Sequence, residues 1–247
     1  MPLKEYGAGP GEVIHRWDGG LSWMAHPDEG FQRTSHALVV GGEDGPRHDA
    51  DGDSSDPPVW LVDPVDAEAI DDELAALGSV AGVVVLSTYH RRDAEAFAGR
   101  YDVPIYLPAR VSGIAGELDA PVERFQGKLA DTGFRAIPTV RFPWKEAVLY
   151  HPGRKTLVAA DSLITMPDRT APDERLAVIS YLRLFPPRDA LGGLDVERVL
   201  VGHGPGVFED AQAALEDALA GARWGAPRVL ARNLPDLLRS VYVTLRD

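Results

Sequence analysis

Three short runs of alternating or apolar residues open the chain, Val13–Trp17, Leu21–Ala25 and His36–Val40, and Asp18-Gly19-Gly20 reads as a hairpin turn between the first two. From Gly41 to Pro58 the chain is polar and rich in turn formers, which predicts an acidic, flexible loop inserted between two paired strands. The pattern then changes. Val59–Val62 reads as a buried strand ending at Asp63-Pro64. A helix follows, with Asp66 as its cap, Ile70, Leu74 and Leu77 on one face and Gly78 as its stop. Val83–Leu86 is an unbroken apolar run, as expected of a strand covered on both faces. A second helix carries Ala94, Phe97, Ala98 and Tyr101 on one stripe, and a short strand, Pro104–Leu107, completes a layered α/β unit.

Strands are predicted again at about Phe134–Thr139, Ala147–His151 and Thr156–Ala160, then a helix near Asp173–Leu182 and a strand at Arg198–Gly202. Amphipathic helices close the chain, with Ala211, Leu215, Ala218 and Leu219 on a common face. The 247 residues read as one domain spanning 1–247, with 41–58 as its loop insertion.

Composition narrows the chemistry. With no cysteine, any metal ion must be held by His, Asp or Glu. A net charge of -13 argues against nucleic-acid binding, which needs a cationic surface. No run of about 18 apolar residues and no secretory leader is visible, so a cytoplasmic protein off the membrane is expected. Lysine is confined to Lys4, Lys128, Lys145 and Lys155. An aspartate-rich, lysine-poor surface suits a halophile, because near 1 M salt the Debye length falls to roughly 3 Å and self-repulsion is screened.

In layered α/β folds, sites gather beyond the carboxyl ends of strands. Three such ends carry metal-competent side chains: Ser87-Thr88-Tyr89-His90-Arg91-Arg92-Asp93, Asp161-Ser162 and His203-Gly204-Pro205. His90, Asp161 and His203 are far apart in the chain, yet each stands just past a hydrophobic strand. No Gly-x-Ser-x-Gly turn presents a serine nucleophile. Tyr89 and Trp144 are candidates to line a pocket. His15, His26, His36, His48 and His151 read as surface or turn residues.

The order of these segments resembles the metallo-β-lactamase superfamily over roughly Ser35 to Leu219, most specifically in Val199-Leu200-Val201-Gly202-His203-Gly204-Pro205 and next in Ala160-Asp161-Ser162-Leu163. Asp63 matches the aspartate that ends the strand before the first helix in that family. The resemblance implies a four-layer αββα sandwich, metal-dependent hydrolysis and a Thr-His-x-His-x-Asp-His motif at the first site segment. Laid on that motif, Thr88 replaces the first histidine, His90 keeps the second, Arg92 falls on the aspartate and Asp93 on the third histidine. The region about twenty residues before Asp161 holds Arg141-Phe142-Pro143 where a lone histidine belongs. A standard dinuclear centre is therefore not expected.

Two pictures remain. In one, His90, Asp93, Asp161 and His203 hold a single zinc or other divalent ion, with Asp161 and His90 catalytic, and an ester, thioester or phosphoester is hydrolysed. In the other no metal is tightly bound. Arg92, with Arg141, then occupies the cation's place, and the pocket of a catalytically silent homologue takes a small anionic ligand.

Overall fold

The computed structural model describes residues 3–40, 56–140, 142 and 144–244, with the side chains of residues 226 and 229–244 left aside. The opening hairpin pattern holds: β1 (Glu12–Trp17), β2 (Gly20–Met24) and β3 (Thr34–Val39) form a meander, and β4 (Pro58–Val62) pairs antiparallel with β3. Most of the predicted acidic loop, residues 41–55, lies outside the described residues, as does His48.

Helix α1 (Ile70–Leu77) leads to β5 (Ser79–Val84), and α2 (Ala94–Tyr101) leads to β6 (Ile105–Pro108). These two crossovers explain why β4, β5 and β6 run parallel. Strand β7 (Val122–Phe125), which the periodicity does not announce, adds a further parallel edge. The first sheet thus runs β1-β2-β3-β4-β5-β6-β7 in sequence order. The second is built from β8 (Arg135–Val140), β9 (Glu146–His151), β10 (Thr156–Ala159) and β13 (Arg198–Val201), in the order β13-β10-β9-β8. Between them in the chain lie β11 (Leu163–Ile164), β12 (Ala177–Val178) and a four-residue helix, α3 (Arg188–Leu191); β13 (Arg198–Val201) and α4 (Ala211–Thr244) follow.

The pleat divides the apolar residues between layers. Leu61, Val83 and Val85 pack outward with Phe97 of α2 and Leu74 of α1. Val62, Val84 and Leu86 face the opposite way and meet Leu149, Val158 and Leu200 of the second sheet. On that sheet's far side Leu157, Val199 and Val201 pack against Ala211, Leu215, Ala218 and Leu219 of α4. Successive residues of one strand therefore serve different interfaces, which is why the buried strands read as unbroken apolar runs. Each fully buried Leu or Val contributes about 1.5–3 kcal/mol. Helix, sheet, sheet, helix is the αββα order.

Three local expectations need correction. Asp66 does not cap α1: the helix starts at Ile70 after a left-handed Ala69, and the Asp66 carboxylate pairs with Arg100 instead. The segment predicted as a helix at 173–182 contains β12 and a 3-10 turn at Ser180–Leu182, because Ala177 and Val178 pair with Ile164 and Leu163. An apolar run as short as Leu176–Ile179 carries no usable period, and pairing beside Asp161 decides its shape. One helix closes the chain where more than one is expected. Among the described residues no helix is long and apolar enough to cross a membrane.

Candidate metal centre

Four strand ends meet at one edge of the two sheets. Asp63 follows β4, Leu86–His90 follows β5, Asp161 follows β10 and His203 follows β13, so every element arrives with its carboxyl end toward the site. The pairing β10–β13 is parallel, like β4–β5, which brings Asp161 and His203 out side by side.

Three donor atoms converge there. His90 Nε2 lies 3.1 Å from Asp161 Oδ1 and 3.1 Å from His203 Nε2, and His203 Nε2 lies 3.3 Å from Asp161 Oδ1. Donors at 2.0–2.1 Å from one tetrahedral zinc ion stand roughly 3.3 Å apart, so this triangle has the dimensions of a three-ligand face. All three residues offer a ligand atom to one point and form the only such group among the described residues.

The far sides of the rings fix what those nitrogens present. His203 Nδ1 is 2.7 Å from the carbonyl oxygen of Phe31, which can only accept, so Nδ1 donates and Nε2 carries a lone pair. His90 Nδ1 donates to Asp63 Oδ2 at 2.8 Å, while Asp63 Oδ1 accepts from Leu86 N–H at 2.9 Å. Both histidines are thus oriented from behind by oxygen acceptors, the arrangement that prepares imidazole for metal ligation. Asp161 is held as well: Ser87 Oγ donates to its Oδ2 at 2.8 Å. With both rings neutral, two imidazole lone pairs and a carboxylate oxygen would face one another at these distances, an arrangement relieved either by a metal ion between them or by a proton on His90 Nε2 donated to Asp161. The donor set fits one metal ion.

Titration reflects the same crowding. Burial and then the Arg92 charge push His90 down, but Asp161 and Asp63 outweigh them and carry it up to about 9. Burial pushes Asp161 up, and the His90 and His203 rings more than offset this, holding it well below the usual carboxylate range. His203 is lowered, chiefly by burial and despite its hydrogen bond to Asp161.

The other sequence candidates fall elsewhere. Asp93 stays out of the triad: its Oδ2 accepts from Asp66 N–H at 2.8 Å, at the start of α2, so the predicted four-ligand set reduces to three. Thr88 is tied to the Lys145 backbone. Arg92 does not occupy the cation's place or pair with Asp161 and Asp93 as expected. A left-handed backbone (φ 46°) turns it back so that it donates to the carbonyls of Thr34, Asp63 and Gly202 at 2.6–2.8 Å. Three of its five N–H groups are thereby committed to backbone. Arg141 lies outside the described residues.

His26, His36 and His151 are buried, not surface residues. His36 is sandwiched between Ser22 Oγ (2.7 Å) and Val201 O (3.1 Å) and is pushed down to about 3, first by burial and then by the Arg92 charge.

Sequence reading missed Glu146. Fully buried at the start of β9, it accepts from Asp161 N–H, Ser162 N–H and Ser162 Oγ–H and so pins the turn that presents Asp161. Burial and then the Asp161 charge push it up to about 7. Its signal was an acidic residue leading directly into the apolar run Ala147–Tyr150. The flanking glycine of His203 has a steric reason: a Cβ on Gly202 would stand 2.5 Å from Ala160 O and 2.6 Å from His90 Cε1.

The triad opens into a cleft of about 450 Å³ whose walls include Phe31, Tyr89, Trp144, Ile164, Met166 and Tyr181. Tyr89 and Trp144 both line it, where core or rim packing is the commoner fate of aromatic residues.

No family model matches the chain, and no curated protein matches it in sequence. Solved structures do. The DIM-1 metallo-β-lactamase superposes with a TM-score of 0.58 at 11% identity, covering 90% of this chain and 99% of that one. A metallo-β-lactamase from Pontibacter korlensis gives 0.55 at 15%, covering 86% and 99%. FIM-1 from Pseudomonas aeruginosa, solved in its mono-zinc form, gives 0.53 at 13%, covering 87% and 97%. At such identities the likeness is one of fold. The chain has the metallo-β-lactamase fold, and a His/Asp/His cluster able to hold a metal ion sits at its sheet edge.

Proposed function

We propose that the protein is a mononuclear metal-dependent hydrolase, with one divalent ion held by His90, Asp161 and His203. The observation that carries this reading is the convergence of three donor atoms within 3.1–3.3 Å while both imidazoles are locked from behind by Asp63 and Phe31. A divalent ion held there supplies Lewis acidity toward a carbonyl or phosphoryl oxygen and acidifies water. Three protein ligands leave a coordination position free, the pattern of catalytic rather than structural zinc.

The residues of the chain do the remaining work. Asp63 and the Phe31 carbonyl hold the imidazole tautomers, Ser87 fixes the Asp161 carboxylate, Glu146 holds the Asp161 backbone N–H, and the cleft walls flank the reacting group. An ester, thioester or phosphoester is the substrate type. In the anion-binding alternative built on Arg92 and Arg141, the Arg92 guanidinium is already bonded to three backbone carbonyls, and Arg141 lies outside the described residues.

Elemental analysis of protein purified without chelator tests the proposal. The expected result is close to one equivalent of zinc, iron or manganese, lost in His203→Ala. A content far below one equivalent that added metal does not restore refutes it.

A further inference from the structure

The cleft carries a charge pattern opposite to that of the molecule. The chain has 38 acidic and 25 basic residues, yet among the described residues lining the cleft Lys4, Arg33, Arg92 and Arg169 face a single carboxylate, Asp161. Arg33 is neutralised by buried Glu29, and Arg92 is turned onto carbonyls. Lys4 and Arg169 are exposed, and among the described residues neither forms an ion pair; Lys4 only stacks over the Tyr6 ring. Unpaired cations concentrated in one concave site of an acidic protein focus a local positive field.

Both lips of the cleft are fixed. Lys4 belongs to an N-terminal strap: Phe31 N–H donates to Leu3 O, Glu5 N–H donates to Glu29 Oε2, and Arg33 donates to Glu5 O at 2.6 Å. The loop that carries this strap also supplies the Phe31 carbonyl behind His203, so Lys4 is tied to the same framework as the ligand. On the other lip Tyr181 sits in the 3-10 turn whose next residue, Arg183, is buried and doubly bonded to Glu174 at 2.6 and 2.7 Å.

Along the wall Tyr89, Trp144 and Tyr181 form a continuous aromatic series, with centroid spacings of 6.3 and 5.6 Å. Tyr89 and Tyr181 are 70% and 71% exposed, each leaving a ring uncovered beside the opening. Exposed rings held in a series offer stacking surface to a flat group.

We propose that the substrate is a planar, apolar organic anion: a ring or flat acyl portion against Tyr89–Trp144–Tyr181, and a carboxylate or phosphate toward Lys4 and Arg169. This names the substrate class of the site and rests on the hydrolase reading for its reaction, but the recognition itself needs no metal. Binding is therefore measured by calorimetry on protein as purified and after chelator treatment, with metal content recorded on both samples.

Four probes separate the contributions: phenylphosphonate (ring and charge), methylphosphonate (charge alone), benzamide (ring alone) and benzamidinium (ring with positive charge). Phenylphosphonate should bind tightest in both samples. Lys4→Ala with Arg169→Ala, both at exposed positions, should weaken phenylphosphonate about tenfold at low salt and leave benzamide unchanged. Tyr181→Ala should weaken all three ring-bearing probes together. A preference for benzamidinium, or a double variant that binds phenylphosphonate like the parent, overturns the proposal. Low metal content with the phenylphosphonate preference intact sinks the hydrolase reading alone; full metal content without that preference sinks the substrate class alone.

Discussion

Asp63→Asn probes the device on which the proposed metal centre depends. The carboxylate accepts two hydrogen bonds, from Leu86 N–H at 2.9 Å and from His90 Nδ1–H at 2.8 Å, and is 2% exposed. An asparagine can accept only one of them. Whichever way the amide turns, its NH2 meets either the Leu86 N–H or the His90 N–H, donor against donor. Leaving a buried donor unmet costs about 1–3 kcal/mol.

His90 has one escape, which is to move its proton to Nε2 and accept from the amide. That removes the lone pair facing Asp161 and His203, and loss of such an orienting partner lowers metal affinity about 10–100-fold. Backbone strain does not confuse the result, because asparagine tolerates the left-handed φ of 47° found at this position. Zinc affinity by chelator competition and stability by thermal melting give the two readouts, with Asp72→Asn on the exposed face of α1 as control. Unchanged affinity together with unchanged melting would refute the role assigned to Asp63.

Three further outcomes are expected. Ser87→Ala removes the donor to buried Asp161 Oδ2 and should cost about 1–3 kcal/mol in denaturant unfolding, with weaker zinc binding. Gly202→Ala places a methyl group 2.5 Å from Ala160 O and 2.6 Å from His90 Cε1; soluble protein should be less stable and carry less metal, as elemental analysis will read. His36, pushed down to about 3 in the folded state, stays neutral while the unfolded chain takes up a proton near pH 6.5. Its share of stability is therefore lost as pH falls from about 6.5 toward 3, at about 1.4 kcal/mol per pH unit. His36→Gln should flatten the stability–pH curve in that window by one proton, and parallel curves would contradict this.

Most of the longer strands were legible, and His90, Asp161 and His203 stood out as candidates, because a polar residue directly after a buried strand breaks the local pattern. His90, Asp161 and His203 all stand at such breaks. Position along a motif is a weaker guide than position in space. Asp93 occupies a ligand's place in the one-dimensional register, yet it sits at the start of α2, where its carboxylate meets Asp66 N–H before it can reach the triad. Arg92 looked like an intruder because its charge is written in the sequence and its left-handed backbone is not. Glu146 and Ser87 support Asp161 from 15 and 74 residues away, and nothing periodic marks contacts of that kind. The false helix at 173–182 has the same origin, since its pairing partner β11 is only two residues long.

Charge balance supplies the last step toward a single ion. Asp63, Asp161 and Glu146 bring three negative charges to the site when Glu146 is ionised, and all its hydrogen-bond partners are donors that favour that form. Arg92 lies close enough to feel both Asp63 and Asp161 and returns one positive charge. With Glu146 ionised, one divalent ion would neutralise the buried cluster, whereas a second would leave it with a net charge of about +2 in surroundings where uncompensated charge is costly. Arg92 thus adds a fixed cation that would make one divalent ion sufficient. Arg92→Met, which removes that charge while filling its space, should then weaken the hold on Thr34, Asp63 and Gly202 without weakening zinc binding to the triad. A loss of zinc affinity larger than the loss of stability would show that Arg92 serves the metal directly and would break this reasoning.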